Sequence, residues 1–279
     1  MSLFVPYLEL MRLKTPIGFW LLWWPTSWAL WVATKGTQLK LWCIFIVGTW
    51  IMRSAGCVIN DWFDKDIDPF VERTKQRPLA KGTLKSPQAL NLFGMLMLGA
   101  FFLCLMLPMP ARLLCVVGAI MTGLYPLAKR FTHCPQIMLG CTFAMSIPIV
   151  FAATEQLQAI NIWLPIYFAA VLWPLAYDSI YALEDFKDDK KLNIHSSPQW
   201  LEAYTMHFII LSETLTFSML AILGIQQQLS WPFWMVLGGI MSSFIVMLFI
   251  LIPRQYFISL FKVHHWFGCL IFLGLIISS

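Results

Sequence analysis

Nine apolar stretches, separated by short polar connectors, decide which solvent this 279-residue chain can fold in. They cover 17–33, 41–59, 89–108, 112–126, 136–153, 162–182, 207–225, 231–252 and 266–278, and the last is expected to begin earlier, near Tyr256. A hydrocarbon layer of ~30 Å is crossed by about 20 apolar residues in a helix. Lipid offers backbone N–H and C=O groups no partner, so helices, which bond internally, are the expected form of such runs. The strands of a membrane barrel would alternate apolar and polar residues, and these stretches do not. With 59% hydrophobic and 12% charged residues, little chain is left for anything but the spans. The expected fold is all-α: a single integral-membrane domain over residues 1–279, polytopic, with nine transmembrane helices.

The connectors divide by charge. The N-terminal segment and the loops 60–88, 127–135, 183–206 and 253–265 hold 15 of the 19 Lys and Arg. The opposite connectors hold three, Lys35, Lys40 and Arg112, while Arg53 lies inside the second stretch. Basic connectors stay in the cytoplasm, so nine spans put the N-terminus inside and the C-terminus outside. The net charge of +5 reflects that topology and points to no nucleic-acid partner. The opening "MSLFVPYLELMRLKTPIGFW" has neither the charge of a transit peptide nor a small-residue cleavage site, which makes a bacterial inner (plasma) membrane the expected home. The seven cysteines show no CxxC spacing and are read as small apolar packing residues.

Ten of the 14 Asp and Glu fall in two windows, both on the cytoplasmic side. The first is "NDWFDKDIDPFVERTKQRPLAKG" (60–82), where Asp61, Asp64 and Asp68, spaced 0, 3 and 7, share a helix face and Asp66 points elsewhere. Pro69 biases Asp68 away from helical backbone, so the helix is expected to loosen there. The second is "YDSIYALEDFKDDKKLNIHSS" (177–197), where Asp178, Asp185, Asp188 and Asp189, spaced 0, 7, 10 and 11, also share a face with Tyr181. A charge run at a helix end is commonly a solvated face that fixes topology. Solvation, however, needs neither a shared face nor a second window on the same side. Stacked carboxylates repel one another, and a divalent cation between them removes the conflict. Hard oxygen ligands suit Mg²⁺, which takes one or two carboxylates together with phosphate oxygens. Arg73, Arg77, Lys129 and Arg130 then look like phosphate partners, since a guanidinium binds phosphate bidentately. Arg53 costs about 2.5–3.5 kcal/mol inside a span and is expected to face a partner below the carboxylates, on the helix face of Asn60.

These windows resemble the signatures of the UbiA superfamily of intramembrane prenyltransferases. "NDWFDKDID…RTKQRPLAKG" resembles its NDxxDxxxD motif and "YDSIYALEDFKDD" its DxxxD-containing second motif. "LMRLKTPIGFWLLWWPTSWALW" and "GLYPLAKRFTHCPQIMLG" look like the 4-hydroxybenzoate polyprenyltransferase branch. The resemblance runs from about Tyr7 to His195, and the last three spans match in hydropathy alone. It implies nine helices around a central cavity open to the cytoplasm and laterally to lipid. It implies Mg²⁺ held through diphosphate by Asn60, Asp64 and Asp68 on one side and by Asp185 and Asp189 on the other. Arg73, Arg77 and Lys129, with Arg130 beside them, fall where the family binds diphosphate. Tyr125 falls near the reacting allylic carbon, and Arg53 and Asn60 where the aromatic acceptor is held. Where this branch reads close to IGIKST, the chain has "LNIHSS" (192–197), with Asn193 for the glycine and His195 for the lysine. No role is assigned to His195, and His133, His207, His264 and His265 are read as interfacial or structural.

The implied reaction joins a polyprenyl diphosphate to 4-hydroxybenzoate, in ubiquinone biosynthesis, with the prenyl tail in membrane lipid. Mg²⁺ and Arg/Lys neutralise the departing diphosphate in a site poor in water. Aromatic faces steady the allylic cation. Asp178, two turns before Asp185, is the candidate base for the ring proton. Two other readings remain: a sister enzyme with a naphthoate or haem acceptor, and a cation-coupled transporter. A transporter would place its carboxylates near the bilayer midplane on broken helices.

Overall fold

The computed structural model describes residues 4–192 and 196–279, apart from the side chains of Lys129 and of residues 187–192. His195 and the side chains of Lys129 and Asp189 therefore lie outside the described residues. Among those described there is helix and turn but no strand. A short α1 (Val5–Leu10) leads into α2 (Ile17–Thr34), α3 (Leu39–Phe63), α4 (Ser86–Cys104) and α5 (Met109–Leu124). Then follow α6 (Pro135–Ala144), α7 (Ser146–Ala153), α8 (Ile160–Leu192), the short α9 (Ser197–Leu201), α10 (Thr205–Gln226), α11 (Trp231–Leu251) and α12 (Phe257–Ser278).

Eight spans among the described residues are long and apolar enough to cross a membrane. The first apolar stretch, α2, is not among them, because its five Trp lower its hydropathy. It is nevertheless a central element: 12 of its residues are buried, and it packs on α3, α7, α8 and α12. The fifth stretch breaks into α6 and α7 at Met145. Pro148 has no N–H for the carbonyl of Ala144, which removes the bond that would join the two pieces. The last stretch starts at Phe257, close to the expected Tyr256.

The packing is lopsided. Trp28 of α2, Phe151 of α7, Trp173 and Tyr177 of α8, and Phe233 and Phe244 of α11 are the largest fully buried side chains. They form one core that α12 closes. Inside it Glu213 of α10 and His264 of α12, both fully buried, approach to 3.9 Å. By contrast α4 buries only Ala89, and α5 only Ala111 and Gly118. Met95, Phe102, Met109, Leu113 and Ile120 of these two helices are more than half exposed. An apolar face of that size belongs against lipid. Between the dense half and these outer helices lies a cavity of about 1000 Å³.

Candidate active site

Both acidic windows reach this cavity, by different routes. α3 ends at Phe63, and Asp64 takes the cap position, its N–H bonded to the carbonyl of Asn60 at 2.9 Å. The chain then turns: Asp68 N–H donates to the Asp64 carbonyl at 2.8 Å, and Asp68 opens a short 3₁₀ turn with Pro69. Carboxylates at a helix C-terminus meet the negative end of the helix dipole, and Pro69 disfavours helix at Asp68, so the helix stops earlier than the face pattern alone suggests. Asp61, Asp64 and Asp68 are buried, whereas Asp66 is exposed. The second window stays helical as far as Leu192. At 1.5 Å per residue the 33 residues of α8 span roughly 50 Å, longer than the lipid core, so the helix carries its acidic end beyond the span.

The cavity is lined by Arg53, Asn60, Asp64, Asp68, Arg73, Arg77, Tyr125, Arg130, Asp178 and Asp185, ten of the twelve residues the sequence singled out. The other two are Lys129 and Asp189, whose side chains are not described. Tyr125 begins a 3₁₀ turn (Tyr125–Arg130) that follows α5. Arg130 sits at the rim, donating to the Phe63 carbonyl at 3.2 Å at the end of α3.

At the charged end of the cavity, guanidinium groups sit on the carboxylates. Arg73 Nε donates to Asp185 Oδ1 at 2.9 Å, its Nη2 bonds Oδ2, and its Cζ lies 4.8 Å from the Tyr181 ring centre. This pair ties the loop after α3 to α8. Burial works against the Arg73 charge, but the bond to Asp185 together with the electrostatic pull of Tyr181, Asp185 and Asp68 holds the pKa above its ordinary value. Arg77 Nη1 reaches Asp68 Oδ2 at 2.8 Å and Asp61 Oδ1 at 3.1 Å. Burial pushes the Asp68 carboxyl above its usual range, Arg77 pulls it back, and the charges of Asp61 and Asp64 push it up again. Asp61 also accepts from Arg12 Nη2 at 2.6 Å, so this fully buried carboxylate is a clamp between two arginines.

Deeper in, Arg53 donates from Nη1 to Cys57 Sγ at 2.7 Å. Among the described residues no carboxylate lies within ion-pair distance of it. Cys57 is the partner the sequence left unnamed, having been read as packing alone. The wall that α4 and α5 contribute is mainly apolar, from Met97, Phe101 and Leu103 of α4 to Val116 and Ala119 of α5. Arg12, Gly18, Cys57 and Tyr177 were not singled out as site residues, yet all four line the cavity. The available signals were the glycine in the first turn of a tryptophan-rich span and a tyrosine directly before Asp178.

Mg²⁺ fits the donor set. Asn60 donates from Nδ2 to Asp64 Oδ2 at 3.2 Å, while its Oδ1 is buried with no hydrogen-bond partner among the described residues. A buried amide oxygen beside a carboxylate, at the negative end of a helix, is a hard-cation ligand. Among the described residues no three carboxylate, His or Cys side chains gather closely enough to hold a metal ion by themselves. Mg²⁺ takes few protein ligands and completes its shell with phosphate oxygens and water.

Residues 22–274 match the UbiA prenyltransferase family. The chain belongs to that family. It is 40% identical to a 4-hydroxybenzoate octaprenyltransferase of Coxiella burnetii (strain RSA 493 / Nine Mile phase I), covering 98% of this chain and 96% of that protein. It is 43% identical to the 4-hydroxybenzoate octaprenyltransferase of Alcanivorax borkumensis, covering 97% and 94%. In fold it is similar to the apo UbiA homolog of Aeropyrum pernix K1, with a TM-score of 0.81 at 19% identity over 92% of this chain and 97% of that one. It also resembles the Archaeoglobus fulgidus UbiA homolog bound to DMAPP and Mg²⁺, with a TM-score of 0.68 at 16% identity over 95% and 98%. The protein is thus a multi-pass membrane enzyme of the UbiA family.

Proposed function

We propose that this enzyme transfers a polyprenyl group from polyprenyl diphosphate to the ring of 4-hydroxybenzoate, giving 3-polyprenyl-4-hydroxybenzoate for ubiquinone biosynthesis. The observation that carries the proposal is the division of one cavity into three chemistries. Its charged end holds carboxylates and guanidiniums, its depth holds Arg53 with no carboxylate partner among the described residues, and its outer wall is mainly apolar. A diphosphate, an aromatic carboxylate and a prenyl tail need those three environments. The names of the relatives in Coxiella and Alcanivorax support the choice of acceptor over a naphthoate or haem.

Asn60, Asp64 and Asp68 would hold Mg²⁺ from one side and Asp185 with Asp189 from the other, and the chemistry it supplies is neutralisation of the departing diphosphate. Arg73 and Arg77, with Lys129 and Arg130, take the diphosphate oxygens and orient the leaving group along the loop side of the cavity. Tyr125 presents its ring to the allylic carbon as positive charge develops there. Arg53, with Asn60 above it on α3, holds the acceptor carboxylate so that the ring faces that carbon. Asp178 takes the ring proton after the carbon–carbon bond forms. The walls of α4 and α5 receive the tail and open sideways to lipid. We place the protein in a bacterial inner membrane with nine spans, α2 being the first. The N-terminus and the charged cavity end face the cytoplasm, and the C-terminus faces outside.

Steady-state kinetics of two variants tests the assignment of ends. Arg53→Ala should raise KM for 4-hydroxybenzoate by roughly ten- to over a hundredfold, the equivalent of losing a charge-assisted hydrogen bond of about 1.5–3 kcal/mol. Its KM for prenyl diphosphate should stay near the wild-type value, and Arg73→Ala should show the reverse preference. An Arg53→Ala enzyme with unchanged KM for 4-hydroxybenzoate would rule the assignment out.

A further inference from the structure

Arg53 does not stand alone in the wall. A β-carbon built on Gly18 meets Nε, Nη2 and Cζ of Arg53 as its three nearest atoms, all at colliding distance. Both residues line the cavity, Gly18 from the first turn of α2 and Arg53 from the middle of α3. Gly18 has no left-handed backbone that would call for glycine. In a helix, glycine is disfavoured against alanine by roughly 0.5–1 kcal/mol, and here its missing side chain leaves the room that the guanidinium occupies. Gly140, Gly224 and Gly268 also meet close neighbours, but at Gly18 all three nearest atoms belong to the guanidinium of a cavity-lining arginine.

The guanidinium is therefore seated between two helices. Cys57 takes its Nη1 on the α3 side, and the bare backbone of Gly18 receives its other face. The seat is firm because the next residue, Phe19, is buried and stacks on Trp50 of α3, ring centres 4.1 Å apart. Tyr125 and Tyr177 line the same cavity, and the Tyr177 hydroxyl is buried with no hydrogen-bond partner among the described residues. We infer that Gly18 is a positioning residue for acceptor recognition: it fixes the Arg53 guanidinium at the depth where the carboxylate of an aromatic acid binds. This rests on the reading of Arg53 as the acceptor anchor. Gly18 does not touch the reacting atoms; it acts through Arg53, so it governs acceptor affinity and not the handling of the diphosphate.

Gly18→Ala, Arg53→Ala and the double variant, each assayed for KM of both substrates and for kcat, test the inference. Gly18→Ala should raise KM for 4-hydroxybenzoate about tenfold or more and leave KM for prenyl diphosphate within about twofold. Added to Arg53→Ala, it should change KM for 4-hydroxybenzoate by less than about twofold, because its effect runs through a side chain already gone. An Arg53→Ala enzyme with wild-type acceptor KM would remove the anchor reading and this inference with it. A raised KM in Arg53→Ala beside an unchanged one in Gly18→Ala would overturn the inference alone. If Gly18→Ala fails to fold, the double variant decides. Recovery of folded protein in the double shows that the collision was with the guanidinium and supports the seat. Failure of both shows that Gly18 serves backbone packing and overturns it.

Discussion

Separating Arg73 from Asp185 should loosen the charged end of the cavity, because this pair joins the loop after α3 to α8 across 112 residues of sequence. The expected size follows from geometry and exposure. Breaking a fully buried ion pair costs about 3–5 kcal/mol, and an exposed one contributes about 0–1 kcal/mol. Here the Arg73 and Asp185 side chains are 27% and 15% exposed, which places the pair between those limits. Two donor nitrogens on one carboxylate and the Tyr181 ring beside the guanidinium add to it. A coupling of about 1.5–2.5 kcal/mol is the expected value. Equilibrium unfolding of wild type, Arg73→Ala, Asp185→Ala and the double variant in a mixed-detergent titration gives that coupling directly as a double-mutant cycle. The two single variants should then part in activity. Arg73→Ala should raise KM for prenyl diphosphate, and Asp185→Ala should stop turnover. A coupling below about 0.5 kcal/mol would refute the claim that the pair holds the two sides together.

Asp64→Ala should abolish turnover with membrane insertion intact, while Asp66→Ala, on an exposed side chain, should be much milder; equal losses would defeat the distinction drawn between them. With the exposed Cys43 replaced, a cysteine at Thr83 should react with an impermeant thiol reagent from the cytoplasmic side and one at Lys40 from the outside. Reaction of both from one side would remove the N-terminus-inside arrangement.

Helix periodicity is local, and what it governs was readable. The 0, 3, 7 spacing of Asp61, Asp64 and Asp68 predicted a shared face, and all three are buried while Asp66 is exposed. Pro69 predicted a loosened helix end, although the helix stops at Phe63, one turn sooner, as acids crowd its negative pole. The division of labour among the charges was not readable. The sequence suggested arginines for phosphate and aspartates for metal as two separate sets. In the structure Arg73 lies on Asp185, and Arg77 on Asp68 and Asp61. Pairings such as Arg12 with Asp61, 49 residues apart, depend on how helices cross, which no short-range spacing encodes. The same holds for Gly18 and Arg53: each is odd in its own helix, and only their juxtaposition explains both. The Glu213–His264 contact in the core was equally hidden, since it joins α10 to α12 and neither residue belongs to a motif.

Product analysis with purified protein tests the central claim most directly. The enzyme in detergent is given Mg²⁺, a polyprenyl diphosphate and 4-hydroxybenzoate, with naphthoate and haem acceptors in parallel and a chelator control. The account predicts a product with the mass of 3-polyprenyl-4-hydroxybenzoate, formed with release of inorganic diphosphate and lost when the metal is chelated. Prenylation of another acceptor in preference to 4-hydroxybenzoate, or undiminished turnover in excess chelator, would contradict it.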